Sequence, residues 1–418
     1  MENKITKIIA EEIKNSKGDS TIEVTVYACP AEALAKAEIG DVSSSFSVPS
    51  GASTGSHEAH VVEIKKAIFN VNEIIAKALV GKDILNQREI DEIMLKLDGT
   101  PNKDNLGGNA MIGVSIACAK TAAKVSGMEV FNYLRTLRLG SGQASTEIKP
   151  SRVTPHLFMN LIEGGKHADS KLAFQEYLLV SNAESVKDAV DFGIKIQNSL
   201  KEIIKRELGK ESAVLGDEGG FAIKVNNIRK PLEFLTRAIK ENNLEGKVRL
   251  SLDVAASSFY SLGKYEVDGK NILKEELFNI YNSLIVEFDL FSIEDPFTEE
   301  DFDSFKKLKN ENKDLLVVGD DLTVSNKILL KKAIEKGSIN AMIIKPNQIG
   351  TLSETLDTMK LARENGIELI VSHRGEETND DFIADLAYAF GCFGLKAGSP
   401  LKPERKIKYD RLIKIAGE

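Results

Sequence analysis

Six side chains able to do acid–base or metal chemistry occur at one repeated place in the chain. Asp253, Glu294, Asp320, Lys345, His373 and Lys396 each follow a short apolar run that reads as a strand. The runs are Val248–Leu252, Ile285–Ile293, Leu315–Gly319, the AMII that opens at Ala341, Ile367–Ser372 and Cys392–Leu395. Singly, each residue has an ordinary reading. A lysine at a strand end can lay its stem on the core and hold its ammonium in water. An aspartate there can cap the next segment, and Glu294-Asp295 or Asp320-Asp321 can be solvated pairs. Six of them sharing one structural position point to a site instead. Three converging carboxylates repel one another and take up protons unless a cation neutralises them, and an all-oxygen donor set suits Mg2+ rather than Zn2+. A dication and a second lysine both disfavour protonation of the first lysine, which makes Lys345 the candidate general base.

These groups meet only if the strands that carry them are parallel neighbours. From Thr154 onward strands alternate with helices: Pro155–Leu161 and Ala173–Val180 are strand-like, Val186–Leu208 is a long amphipathic helix, and the alternation continues to the C-terminus. About eight strands in about 250 residues predict a closed (β/α) barrel, in which the C-terminal ends of the strands share one mouth. The other arrangement, an open doubly wound sheet, usually has a glycine-rich first turn, and none follows the first strand here. Leu106–Gly113, LGGNAMIG, opens a helix with no strand before it, so it reads as a closely packed first helical turn and not a nucleotide loop. Ahead of the barrel, Ile5–Ile9, Thr21–Tyr27 and Ser45–Val48 predict an antiparallel meander, with turn chemistry at Ser16–Asp19 and an insertion with a helical turn over Pro30–Val42. After the loop Pro49–Gly55 come helical patterns over Glu58–Leu79, Gln87–Leu97 and Ala110–Ser126, giving an α+β domain. Arg138–Ser151 is polar and aperiodic, so the expected division is residues 1–137, a linker at 138–151, and the barrel at 152–418.

Composition narrows the class. The chain has 418 residues, 42% of them hydrophobic, with 63 acidic against 55 basic residues and a formal net charge of −8. That balance leaves no broad basic surface for nucleic acid, and an acidic substrate needs a local cationic pocket. Cys29, Cys118 and Cys392 are odd in number and not spaced as a metal knuckle, which points to a reducing cytoplasm. No apolar run is of membrane-spanning length, so no membrane partner is expected. His57, Glu58 and His60 sit in HEAH, which is not a zinc signature, and His156 reads as a core or near-core histidine.

Motifs spread over nearly the whole chain resemble enolase, phosphopyruvate hydratase: VPSGASTGSHEA at Val48–Ala59, GGNAMIGVSIACAKTAA at Gly107–Ala123, GGKHADSKLAFQE at Gly164–Glu176, GDEGGFA at Gly216–Ala222, LDVAASSFY at Leu252–Tyr260, SIEDPF at Ser292–Phe297, GDDLTV at Gly319–Val324, IIKPNQIGTLSETL at Ile343–Leu356 and SHRGEET at Ser372–Thr378. The resemblance implies an α/β protein with an N-terminal α+β capping domain followed by a C-terminal enolase-type (β/α)8 barrel whose opening connections depart from simple βα order. It implies reversible, Mg2+-dependent dehydration of 2-phospho-D-glycerate to phosphoenolpyruvate. Asp253, Glu294 and Asp320 would then hold one Mg2+, and Ser53, from a closing loop, would complete a second that arrives with substrate. Lys345 would be the base, while Glu218 with Glu176 would protonate the leaving hydroxyl. Lys396 would stabilise the substrate carboxylate as it gains charge. His167, Gln175, His373, Arg374 and Gly375 would surround the carboxylate and phosphate. A homodimer is implied as well, with Glu23 and Lys414 at positions that pair across it.

Departures from the family pattern cluster near the phosphate. Gly375 and Glu376 stand where serine and glycine are usual, so a hydroxyl is lost and an acid enters the loop. Lys166 stands where serine is usual and returns positive charge to the region. Ala397 replaces a threonine, Ser258 a glutamate and Glu163 an asparagine. Two alternatives follow: an enolase-like lyase for a related α-hydroxy or phosphonate acid, or a non-catalytic homologue kept for binding. The second has no use for three ligand carboxylates, two lysines and two acids together.

Overall fold

The computed structural model describes residues 3–30, 41–51, 57–139, 154–165, 168 and 170–418. Most of the expected insertion at 30–42, Ser53 and its loop, the bulk of the 138–151 linker, Lys166 and His167 lie outside the described residues.

In the N-terminal part, β1 (Lys4–Lys14), β2 (Ser20–Cys29) and β3 (Val42–Ser47) form an antiparallel meander in that order. Along β2, Ile22, Val24, Val26 and Ala28 alternate with more exposed residues, and all four are buried, as a sheet with one covered face requires. The cover is helical: α1 (Ile64–Phe69), a π-helical stretch (Asn70–Ile75), α2 (Ala76–Leu79), α3 (Gln87–Asp98), α4 (Gly108–Val125) and α5 (Val130–Leu139). The helix expected from Glu58 begins only at Ile64. The preceding residues are held out of helix by main-chain bonds elsewhere, from Ala59 N to Gln348 O and from His60 N to Asn102 O. The π-helical stretch starts at buried Asn70, whose Nδ2 donates to the carbonyls of Asn105 and Leu106. α4 is rich in small residues and buried almost all round. Its approach depends on Gly107 (φ 94°), where a Cβ would stand 2.4 Å from Val62, the close packing that the LGGNAMIG stretch predicts.

The barrel part runs β4 (His156–Glu163), β5 (Glu176–Ser181), α6 (Val186–Leu208), β6 (Phe221–Ala222), α7 (Lys230–Glu241) and β7 (Val248–Asp253). A small antiparallel sheet of β8 (Tyr260–Ser261), β9 (Lys264–Val267) and β10 (Lys270–Ile272) follows. Then come α8 (Lys274–Phe288), β11 (Ser292–Glu294), α9 (Phe302–Glu311), β12 (Leu316–Gly319), α10 (Lys327–Lys336) and β13 (Ala341–Ile344). The last elements are α11 (Pro346–Ile349), α12 (Leu352–Glu364), β14 (Glu368–Ser372), α13 (Phe382–Ala389), β15 (Gly394–Lys396) and α14 (Pro403–Ala416). The sheet order is β15-β14-β13-β12-β11-β7-β5-β4, and β15 also pairs with β4, which closes eight strands into a barrel and excludes the open sheet. β5 is antiparallel to both of its neighbours, so the opening is ββα and not βα. One expected strand is corrected. Ile285–Phe288 of the Ile285–Ile293 run closes α8, which stops at Asp289 in left-handed conformation, and only Ser292–Glu294 is strand. An apolar run shared by a helix end and a buried strand start carries no period that separates the two.

Alternation along the strands fixes what lies over what. Phe158, Val180, Val318, Ile343 and Ile370 pack together inside the barrel. Two residues further toward the mouth on the same faces stand Asn160, Asp320 and Lys345, and β5, running the other way, brings Glu176 from four residues before Val180. Gly394 admits Phe158, whose ring lies 2.6 Å from where a Cβ would be, and Lys396 follows two residues on. The two parts of the chain meet next to α12. Asp91 accepts from Ser353 N at 2.9 Å, Ser115 Oγ accepts from Leu352 N at 3.0 Å, and Lys103 pairs with Glu354 at 2.8 Å.

Candidate active site

Register brings a row of acids to one rim. Glu163 is opposite Glu176, Glu176 opposite Asp253, and Asp253 opposite Glu294. Asp253, Glu294 and Lys396 are the last residues of their strands, and Asp320, Lys345 and His373 follow theirs immediately. Five of the six, all but Lys345, are buried, and Lys345 is nearly so.

The two lysines thread the carboxylates. Lys396 Nζ lies 2.9 Å from Asp253 Oδ2, 2.9 Å from Glu294 Oε2 and 3.3 Å from Glu176 Oε2. Lys345 Nζ donates to Asp320 Oδ2, while Gln348 Nε2 donates to the other oxygen of Asp320 at 3.1 Å. Burial and the Asp253 charge push the Glu294 carboxyl well above the usual carboxylate range, and burial and Glu218 do the same to Glu176. Burial alone would lower the Lys345 ammonium, but Asp320 and Glu294 outweigh it and hold it above its ordinary value. Fully ionised, Asp253, Glu294, Asp320 and Glu176 would set four negative charges against two ammoniums, so the donor set fits one further hard dication bound through oxygen. Gln175, from the strand-opening loop, donates to Asp253 through Nε2 at 3.4 Å.

Across the mouth sits Glu218. Its Oε2 accepts from Asn160 Nδ2 at 3.1 Å and lies 3.4 Å from His373 Nε2. The other ring nitrogen of His373 faces Arg405, and a guanidinium only donates, so His373 Nδ1 accepts and Nε2 carries the proton that points at Glu218. Arg405 also donates to the carbonyls of Arg374 and Gly375 at 2.6 and 2.8 Å, fixing the loop after β14 from beneath. Arg374 reaches Glu58 at 2.9 Å and Asn347 at 3.0 Å.

Several residues gain roles that the sequence does not assign. Glu58 is a buried counter-charge for Arg374, whereas His57 and His60 make surface pairs with Glu300 and Asp104. Asp295, at φ 42°, accepts from Asp320 N at 3.0 Å and Asp321 N at 2.7 Å. It therefore fixes the turn that carries Asp320; its one signal in the sequence is its place directly after Glu294. His156 packs on Phe393 and bonds Ser181 O at 2.9 Å, at the end of the barrel away from the mouth. Glu376 does not enter the site. Its main chain pairs with Ser50, and its carboxylate takes a bond from Asn15 at 3.1 Å and lies 3.8 Å from Lys17.

Comparison with known proteins agrees with this fold. Residues 5–134 match the family model described as the N-terminal domain of enolase, and residues 151–418 match the enolase C-terminal TIM barrel domain. The chain is 42% identical over 425 residues to the enolase of Methanocaldococcus jannaschii, covering 99% of this chain and 95% of that one. It is 39% identical over 436 residues to the enolase of Thermococcus gammatolerans, covering 100% and 96%, and 40% identical over 427 residues to that of Methanosarcina barkeri, covering 99% and 94%.

Proposed function

The chain belongs to the enolase family, and from that premise we propose how its own residues carry out the reaction. The protein is a hydro-lyase, a phosphopyruvate hydratase that interconverts 2-phospho-D-glycerate and phosphoenolpyruvate. Lys345 removes the proton from the carbon beside the substrate carboxylate, and Glu218, with Glu176 next to it, protonates the hydroxyl that leaves from the opposite side. Burial and the Glu218 charge hold the Glu176 carboxyl well above its ordinary value, which keeps a proton available beside the acid. Lys396 faces the charge that grows on the carboxylate. Ser53, His167, Gln175, His373, Arg374 and Gly375 contact the carboxylate and phosphate.

Asp253, Glu294 and Asp320 would hold Mg2+, with Ser53 at a second ion that would come with substrate. An ion bound there would supply Lewis-acid charge, offsetting the carboxylates that keep Lys345 protonated and drawing charge from the substrate carboxylate. The observation that carries the reading is Lys396 Nζ, within 3.3 Å of Asp253, Glu294 and Glu176 at once. That one ammonium joins the ligand carboxylates to the acid pair, so base and acid serve one pocket. The alternative of a related acid substrate drew on Gly375 and Glu376, and the turn of Glu376 toward Asn15 and Lys17 takes away half of that support.

The segments matched at 5–134 and 151–418 support a joint at residues 138–151. Glu23 and Lys414 support a homodimer, looser than an arginine would give. Three free cysteines support a cytoplasmic setting, and none of the described helices is long and apolar enough to cross a membrane. An absorbance assay for the enol product, with and without Mg2+ and with K345A as control, tests the reading. Turnover of 2-phosphoglycerate that needs both Mg2+ and Lys345 is expected. Absence of turnover on any 2-hydroxy-3-phospho acid overturns it in favour of a binding protein.

A further inference from the structure

Glu163 stands where the family pattern has asparagine, and no step above uses it. It is the last residue of β4 and fully buried. One carboxyl oxygen, Oε1, accepts the main-chain N–H of Glu218 at 3.0 Å and that of Gly220 at 2.6 Å. The other, Oε2, is buried without a hydrogen-bond partner among the described residues. The turn lies directly on this side chain: a Cβ at Gly216 would stand 2.2 Å from Oε2, and one at Gly220 would stand 3.1 Å from the Glu163 Cγ. Both turn glycines are therefore needed for the main chain to come this close.

We propose that Glu163 is a positioning residue for the acid: its buried carboxyl seats the Gly216–Gly220 turn by binding the N–H of Glu218 itself, and faces Glu218 with a second carboxyl group. The inference rests on the reading of Glu218 as the proton donor. The seat fixes the Cα of Glu218, while Asn160 and His373 fix its carboxyl end. Charged groups face Glu163 from each element packed on it: Glu218 from the turn, Glu176 across the register on β5, and Arg405 from α14. His373 and Lys396 lie one layer further, against Glu218 and Glu176. Burial and the Glu218 charge raise the Glu163 carboxyl to about 8, against the pull of the two N–H groups and Arg405. A Glu163 that holds its proton to this pH leaves the turn with one negative charge fewer beside the acid, and its carboxyl titrates together with its neighbour.

Three variants test this, with kcat and KM for 2-phosphoglycerate dehydration followed against pH. E163Q keeps an acceptor oxygen at the same reach but cannot ionise. Its KM should stay within about twofold of wild type while the descending, high-pH limb of kcat moves down by about half a pH unit or more. E163A removes the seat, and kcat should fall about tenfold or more at an unchanged KM. If E163A does not fold, E163N, one methylene shorter, takes its place with the same thresholds. Superposable pH profiles for E163Q and wild type, or E163A (or E163N) with kcat within about twofold of wild type, overturn the inference. E218Q is the control: if it still dehydrates 2-phosphoglycerate, the reading of Glu218 fails; if it does not while the Glu163 variants behave as wild type, only the present inference fails.

Discussion

Replacing Glu377 by glutamine should loosen the loop that carries His373 and Arg374. Both Glu377 and Lys408 are buried, and their charges lie 2.8 Å apart. Glu377 uses both oxygens: Oε1 accepts Arg374 N at 2.9 Å, and Oε2 accepts Thr378 N at 3.1 Å as well as the ammonium. An amide has one acceptor oxygen, so in E377Q an NH2 must face either Arg374 N–H or the Thr378 and Lys408 donors. Removing one partner of a buried ion pair costs about 3–5 kcal/mol. The lower figure applies here because Lys408 keeps the carbonyls of Thr378 and Glu404 at 2.8 and 2.7 Å. For a barrel of this size about 3 kcal/mol corresponds to a Tm lower by roughly 5 °C. Calorimetry at neutral pH measures the shift, and kcat/KM should fall with it. Burial alone would raise the Glu377 carboxyl, but Lys408 and Arg405 outweigh it and hold it below 4.5. Its stabilisation is therefore present above the ordinary carboxylate value and is lost as pH falls through the lower, folded one, so wild type and E377Q should converge in acid. The double variant E377M/K408M removes both charges and should recover Tm relative to E377Q while kcat/KM stays low, because Arg374 N still lacks its acceptor. A Tm within about 2 °C of wild type in E377Q would refute the assignment of Glu377 as the loop's buried anchor.

K345A should lower kcat by about 10²- to 10⁴-fold, measured by the same absorbance assay, in a variant that circular dichroism shows to be folded. Chelation should abolish turnover, and added Mg2+ should restore it and raise Tm as binding to the folded state requires. D295N disturbs the acceptors of Asp320 N and Asp321 N while leaving the carboxylates of Asp253, Glu294 and Asp320 in place, and titration calorimetry should give Mg2+ affinity weaker by about 10- to 100-fold. E376G should leave KM for 2-phosphoglycerate within about twofold, because Glu376 spends its carboxylate on Asn15 and Lys17. A KM raised well beyond that would return the acid to the substrate.

What could be read from the sequence followed one geometric rule. A parallel barrel delivers the C-terminal ends of its strands to one mouth, so Asp253, Glu294, Asp320, Lys345, His373 and Lys396 could be grouped before any contact was known. Glu176 escapes that rule because it opens its strand. It reaches the mouth only since β5 runs antiparallel, which no periodicity reveals, and its role was reached through family resemblance alone. Glu58 and Arg374 are 316 residues apart, and Lys17 and Asp217, 2.7 Å apart, belong to different parts of the fold. Pairings of that kind depend on how the two parts are docked. α5 is not legible because it is short and runs straight into the polar stretch that reads as the boundary, and its buried Tyr133 and Leu134 have partners only in the folded chain.

The docking explains why an α+β domain remote from the chemistry in sequence is needed at the mouth. The turn between β1 and β2 enters beside the barrel, where Ser16 N donates to Glu377 O at 2.7 Å and Ser16 Oγ accepts Glu377 N at 3.1 Å. Lys17 next to it meets Asp217, the neighbour of Glu218, at 2.7 Å, and Glu376 at 3.8 Å. Lys402, at the start of α14, holds the Asp217 carbonyl from the other side at 2.9 Å. One N-terminal turn thus ties the loop of Glu218 to the loop of Arg374, and Ser50, at the base of the segment leading to Ser53, pairs with Glu376 in the same place. The two ion pairs of Lys17 are exposed enough to contribute about 1 kcal/mol or less each, but with the bonds to Glu377 they tie together the two loops that the proposed reaction needs on opposite sides of one substrate. Because a displacement of about 1 Å at such a site costs roughly 100-fold in rate, the turn should matter more to kcat than its modest share of the stability would suggest.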